Sequence, residues 1–170
     1  MKRSIFMFVM IFVSVMSFGR NRVSETATVV ADTIFYAANE QSVSSAAQAA
    51  YYRLLMKQHT NVQNEDVFMD FYMNGAKKAE GGYKFVDLGN DKNTVLDGDV
   101  ITYYPNGMEK MHGKYVNGKR QGYFTLNLRD GGVAVVQYHN GESKYNYFMI
   151  TRPDGSQVQR PLSEIKSLLQ

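Results

Sequence analysis

YYPNGMEKMHGKYVNGKRQG, running from Tyr103 to Gly122, decides the fold. Two Asn-Gly pairs, Asn106-Gly107 and Asn117-Gly118, bracket a short run that carries an aromatic residue. Asn-Gly between strand-like runs marks a type I′ hairpin turn, because both central residues of that turn need φ > 0. The stretch therefore reads as strand, turn, strand, turn, strand.

The pattern continues downstream. Gln121–Leu128 alternates, with Phe124, Leu126 and Leu128 on one face and Tyr123, Thr125 and Asn127 on the other. One face of the sheet is thus expected to be buried and the other half wet. Asp130-Gly131 turns into Val133–His139, Asn140-Gly141 into Ser143–Thr151, and Pro153-Asp154-Gly155 into an edge strand over Gln157–Arg160. Leu162, Ile165, Leu168 and Leu169 have helical spacing behind Pro161, which predicts a short helix over 161–170 capping the open end of the sheet.

Upstream, Val100–Tyr104 is a strand, and Asn74-Gly75 joins Asp66–Met73 to Lys77–Val86. Gly81-Gly82 inside the latter points to a bulge or a close backbone approach. Asp87–Gly98 reads as an acidic loop, His59–Asn64 as a polar turn and Val29–Tyr36 as the first strand. Asn39–Gln48 is a loop or the start of a helix. Residues 46–58 stay open between a helix, which propensity allows over Ala46–Lys57, and a strand over Tyr51–Gln58. The strand is preferred because aromatic pairs suit a sheet face.

The turn glycines at 75, 107, 131 and 155 are separated by 32, 24 and 24 residues. Tyr83, Tyr115 and Tyr138 follow three of them at +8, +8 and +7. A two-strand unit of this length cannot bury its own apolar face, so stacked neighbours must do so. An ordinary β-meander rich in Asn-Gly turns would give the same local structure.

These residues resemble a family. YYPNGMEKMHGKYVNGKRQGYF, Tyr103 to Phe124, is similar to the bacterial variant of the MORN repeat (membrane occupation and recognition nexus). The shared pattern is aromatic-aromatic-x-Asn-Gly, then Gly-x-Tyr-x-Asn-Gly-Lys-x-x-Gly-aromatic. FYMNGAKKAEGGYKF, from Phe71, is a looser match. RDGGVAVVQYHNGESKYNYF, from Arg129, lacks the glycine before its tyrosine and the Gly-aromatic after its second turn. DTIFYA and YYRLLM resemble the lead-in of secreted members, so the resemblance spans roughly Asp32 to Gly155. It implies an all-β, antiparallel β-meander repeat sheet. Some bacterial members carry an antitoxin label, and eukaryotic ones are implicated in membrane-lipid or protein contacts. The family supplies no catalytic residue.

At the N-terminus, Lys2 and Arg3 precede the apolar run Ile5–Met16, and Ser17-Phe18-Gly19 places small residues at a cleavage site. This is a secretory signal peptide over 1–19. The run is short for a membrane span, which needs about 20 residues, so no transmembrane segment is expected after cleavage. Retention as an anchor is the alternative. The expected organisation is then a flexible leader over 20–28 and a repeat domain over 29–160. Repeat-like units lie near 68–87, 100–122 and 123–147, and the terminal helix over 161–170. The formal charge of +3 falls to +1 without Lys2 and Arg3, which removes most of the case for nucleic acid or a membrane surface. With no cysteine, disulfides, thiolate metal sites and cysteine nucleophiles are excluded.

His59, His112 and His139 lack metal-ligand spacing. From Asp91, Val95 and Leu96 stand where an EF-hand needs a ligand and a glycine, so Asp87, Asp91, Asn93, Asp97 and Asp99 read as a solvated loop. No nucleophile elbow, Walker loop or His-Glu-x-x-His occurs. No catalytic residue, cofactor or metal is expected. Tyr103, Tyr123, Tyr145 and Tyr147 are candidates for a sugar- or peptide-binding platform on the wetter face, if they are not simply packed. Lys114 and Arg120, with Lys119 and Lys144, form a modest basic set. The sequence thus points to a secreted or periplasmic non-enzymatic module that binds a protein or envelope polymer. The alternative is an immunity or antitoxin-like protein. An exposed edge strand could also pair with a second copy.

Overall fold

The computed structural model describes residues 27–59 and 64–168. Among them runs an antiparallel sheet: β1 (Ala27–Tyr36), β2 (Ser42–Val43), β3 (Tyr51–His59), β4 (Asn64–Tyr72), β5 (Lys77–Phe85), β6 (Val95–Tyr103), β7 (Glu109–Val116), β8 (Lys119–Asn127), β9 (Val133–His139), β10 (Glu142–Ser143), β11 (Tyr147–Thr151) and β12 (Gln157–Pro161). From β12 to β3 the spatial order follows the chain, then β1 and β2 complete it; β10 pairs off the path with β9. The fold is the all-β meander that the turn spacing predicts. The signal segment 1–19, most of the leader and the centre of the His59–Asn64 turn lie outside the described residues. Strand β1 begins at Ala27, inside the span read as leader.

The corners fall into two kinds. At Asn117-Gly118 and Asn140-Gly141 both residues have positive φ (51° and 76°, 52° and 93°), as a type I′ turn requires. At Gly75, Gly107, Gly131 and Gly155 only the glycine is left-handed, with φ between 82° and 86°. The type I′ reading of Asn106-Gly107 is therefore corrected. The loop there has three residues, closed by the Tyr104 N–H bond to the Met108 carbonyl (2.8 Å). The side chain before each of these glycines accepts the N–H two residues on: Asn74 from Ala76, Asn106 from Met108, Asp130 from Gly132 and Asp154 from Ser156. Such Asx bonds are why Asn and Asp recur at turns.

The same spacing sets the packing. Phe68, Val100, Phe124 and Phe148 lie 32, 24 and 24 residues apart, and all are buried on one face, called inner here. The type I′ corners are stapled to an earlier strand in matching fashion. Gly118 N–H reaches the Leu96 carbonyl and Asn117 N–H the Asp97 carboxylate (2.8 and 2.7 Å). Gly141 N–H reaches the Arg120 carbonyl and Asn140 N–H the Gln121 side chain (both 2.9 Å).

Two apolar clusters occupy the inner face. The first gathers Ile34, Tyr36, Tyr51, Leu55, Phe68, Ala79 and Val100; the second gathers Leu126, Ala134, Val136 and Phe148. Within residues 46–58 the strand expected over Tyr51–Gln58 is present as β3, preceded by a single 3-10 turn at Ala46–Gln48. The acidic loop is shorter than expected, because β6 starts at Val95 and takes in Asp97–Gly98. Its remainder is folded rather than free, with a 3-10 turn over Asp91–Asn93. The C-terminal segment read as a helix over 161–170 starts later, since Pro161 ends β12; it forms a 3-10 turn at Leu162–Glu164 followed by α1 (Ile165–Leu168), and residues 169–170 lie outside the described residues. Leu162, Ile165 and Leu168 pack on the second cluster, so this segment covers the face of the sheet rather than its edge. The β1 edge carries an extra residue, Ala31, and the Asp32 carboxylate accepts the Thr33 N–H (2.7 Å). Bulges and edge charges of this kind discourage pairing with a foreign strand.

Glycine positions show where backbones approach. A Cβ on Gly82 would sit 2.1 Å from the Asp97 carbonyl oxygen, so the Gly81-Gly82 pair marks the close approach anticipated for it. A Cβ on Gly113 would sit 2.3 Å from the Phe124 ring. Gly113→Ala should therefore destabilise the protein by about 1–3 kcal/mol, the range for overpacking. Urea unfolding checks this, and Phe124→Leu in the same chain should recover part of the loss.

Candidate functional site

Charge inside the sheet comes first, because it decides which acids are free for chemistry. Arg53 alternates with Tyr51 and Leu55 on β3, and Asp70 with Phe68 on β4, so strand geometry turns both inward. Arg53 is 3% exposed and Asp70 1%. The Arg53 guanidinium has five N–H donors, and five contacts meet them. Nε and Nη2 bond both Asp70 oxygens (2.7 and 2.8 Å). Nη1 and Nη2 bond both Asp91 oxygens, and Nη1 also reaches the Thr94 hydroxyl (3.3 Å). Phe68 lies under the guanidinium at 4.4 Å, and Lys78 stands 3.9 Å from Asp70. Lys78 reaches this face because it is the extra residue where β4 and β5 slip register.

Asp91 is therefore not solvated, which corrects the reading of the acidic loop. It also accepts the Tyr51 hydroxyl (2.6 Å), and the Asp87 carbonyl accepts the Tyr36 hydroxyl (3.2 Å). The loop is further tied to the β1–β2 connection by Ser42 N–H to the Gly89 carbonyl and Asp91 N–H to the Glu40 carbonyl (both 2.9 Å). It forms a strap across the first cluster. Burial pushes the Tyr36 phenol up to about 12, and burial together with the bond to Asp91 raises Tyr51 further. Burial opposes the charge on Arg53, but its bonds to Asp70 and Asp91 outweigh that and raise its pKa. Burial also raises Asp70, against the pull of Arg53 and Lys78. Every strong donor and acceptor here is consumed internally, so the cluster is architecture. The sequence signal for it was an ionisable residue in the apolar register of a strand: Arg in YYRLLMK and Asp in VFMDFYM.

The outer face is the candidate site. Phe35, Tyr52 and Phe71 pair across β1, β3 and β4 opposite the buried register, with ring centroids 6.2 and 5.3 Å apart. In the next row, Leu54, Met69, Ile101, Val135 and Met149 recur on the same face across the sheet, all half-buried.

The six sequence-derived candidates separate. Tyr103 is half-buried on the outer face, where its hydroxyl donates to Glu80, while Lys77 bonds Glu80 (2.8 Å) and lies 5.5 Å from the Tyr103 ring. Tyr123 is 67% exposed on the outer face of β8, paired with Gln137. Tyr145 and Tyr147 stack at 5.1 Å, with Lys144 over Tyr145. Lys114 is exposed and paired with Gln121. Arg120 does not join them. It turns to the inner face, where Nη1 bonds the Tyr138 hydroxyl (3.1 Å) and the guanidinium lies over the Tyr138 and Phe124 rings at 5.1 and 5.6 Å. Burial opposes its charge, but contacts with Tyr115 and Tyr138 raise its pKa on balance.

Among the described residues no group of three or more His, Asp or Glu is placed to hold a metal ion, and no helix is long and apolar enough to cross a membrane. Fold and site define an open, single-sheet β-meander with an aromatic-bearing outer face. No family model, curated protein or solved structure matches the chain.

Two measurements follow. Arg53→Met leaves buried Asp70 with only Lys78 at 3.9 Å and should cost about 3–5 kcal/mol in urea unfolding; Arg53→Met with Asp70→Leu should recover much of it. Burial and the bond to Glu80 raise the Tyr103 phenol to about 12. The folded state then holds that proton more tightly than the unfolded chain, so stability should fall as pH rises from about 10 towards 12. Tyr103→Phe should remove one phenol's share of this loss in stability–pH curves, the remainder coming from raised phenols such as Tyr36 and Tyr51.

Proposed function

We propose that the protein is a secreted, non-catalytic β-repeat module, of the bacterial MORN-variant type, that holds a protein or envelope-polymer partner against the outer face of its sheet. The observation that carries this reading is the Phe35–Tyr52–Phe71 ladder on that face, with Tyr123 and the Tyr145–Tyr147 pair further along the sheet. Aromatic side chains supply much of the energy of binding surfaces because they are large and lose little entropy on ordering. The buried acids support a non-catalytic role, since Asp70 and Asp91 are committed to Arg53. Export rests on the charged, apolar and small-residue segments of residues 1–19. The recurrence of equivalent corners and buried residues at intervals of 32, 24 and 24 supports the repeat reading.

The test is capture from native envelope extract with the mature chain and with a Tyr52→Ser/Tyr123→Ser variant. The expected result is one enriched partner whose affinity falls at least about tenfold in the variant. Binding that is unchanged in the variant contradicts an outer-face site. Enrichment of a single toxin would replace this reading with an immunity protein.

A further inference from the structure

Arg120 differs from Arg53 in one respect: no carboxylate neutralises it. Among the described residues no Asp or Glu oxygen lies within 4 Å of its guanidinium, and its hydrogen-bond partners are phenols. Nε points to the Tyr115 hydroxyl (3.5 Å) and Nη1 to the Tyr138 hydroxyl (3.1 Å). A hydroxyl that accepts a bond from arginine keeps its own hydrogen to donate. Nη2 has no protein acceptor, yet no buried side-chain polar atom lacks a partner among the described residues, so Nη2 is open to solvent. Three groups with hydrogens to donate therefore converge, and no carboxylate stands among them.

Their surroundings are apolar. Arg120 lies between the strap over the first cluster and the C-terminal turn over the second, in a small cleft with Met111, Leu126, Val136 and Ile165. The cleft shares Tyr138 and Ile165 with an open hollow of about 370 Å³, also bounded by Leu162, Ser143 and Ser163. The cleft beside Arg120 is itself only about 20 Å³, and the hollow next to it is open rather than enclosed. A half-buried arginine beside an apolar hollow is complementary to an anion that carries an apolar group, because guanidinium and carboxylate pair by two parallel bonds.

We propose that Arg120, with the hydroxyls of Tyr115 and Tyr138, binds the head of a small organic monocarboxylate whose apolar part lies in the hollow beneath the C-terminal turn. One guanidinium balances one negative charge, which favours a carboxylate over a phosphate dianion. This site is on the face opposite the proposed partner surface and stands independently of it.

Calorimetric titration with octanoate tests the assignment, with octanol and inorganic phosphate as the matched probes. Octanoate should bind the wild-type chain, octanol should bind at least about tenfold more weakly, and phosphate should neither bind comparably nor displace octanoate. Arg120→Gln should weaken octanoate binding at least about tenfold. Tyr138→Phe, which keeps the ring and removes one donor, should weaken it by a smaller factor and serves if the arginine variant does not fold. No binding to the wild type, equal binding of octanol, equal binding of phosphate, or unchanged octanoate binding in both variants would each overturn the proposal.

Discussion

A left-handed glycine at alternate corners of the meander sets the register on which the other contacts depend. Because side chains alternate along a strand, a slip of one residue would turn every inward group outward. The corners at Gly75, Gly107, Gly131 and Gly155 share one geometry, and Phe68, Val100, Phe124 and Phe148 recur at the same intervals. Corner and core are thus one specification. The Asn or Asp before each glycine fixes the turn by bonding the chain beyond it, and the type I′ corners bond back to an earlier strand.

A single sheet still has to cover its apolar side, and this chain does so with its connections. The strap after β5 is drawn across the first cluster by Asp91, whose carboxylate meets Arg53 and Tyr51. The segment after β12 covers the second cluster with Leu162, Ile165 and Leu168. Between the covers lies the Tyr115–Phe124–Tyr138 ladder with Arg120, and Gly113 makes room for its central ring. The outer face keeps its aromatic residues half-buried or exposed, and the two faces are accordingly suited to different partners.

The strands and corners were legible because their signals are local. Asn-Gly and Asp-Gly mark turns, and the Phe124–Leu126–Leu128 alternation marks a buried face. What escaped was set by contacts distant in the chain. Asp91 reads as one acid among several until Arg53, 38 residues earlier, is placed beneath it. Arg120 reads as one of a basic set until β8 is seen to start at Lys119, when the alternation running back from Phe124 places its side chain inward. The start of the terminal helix was misplaced because the spacing of Leu162, Ile165 and Leu168 gives an inward stripe without fixing whether 3-10 or α-turns carry it. Among the candidate binding residues, the alternation of β8 marked Tyr123 as outward. It gave no warning that Tyr103 would be engaged by Glu80.

The most direct test of the central claim is the stability of chains carrying L-alanine or, by semisynthesis, D-alanine at Gly107. No atom lies within 4 Å of an L-side-chain Cβ there, so the effect reports backbone conformation rather than packing. A left-handed corner predicts a loss of about 1–2 kcal/mol for L-alanine and no loss, or a gain, for D-alanine. Equal stability of the L-alanine and glycine chains, or a comparable loss with D-alanine, would contradict it.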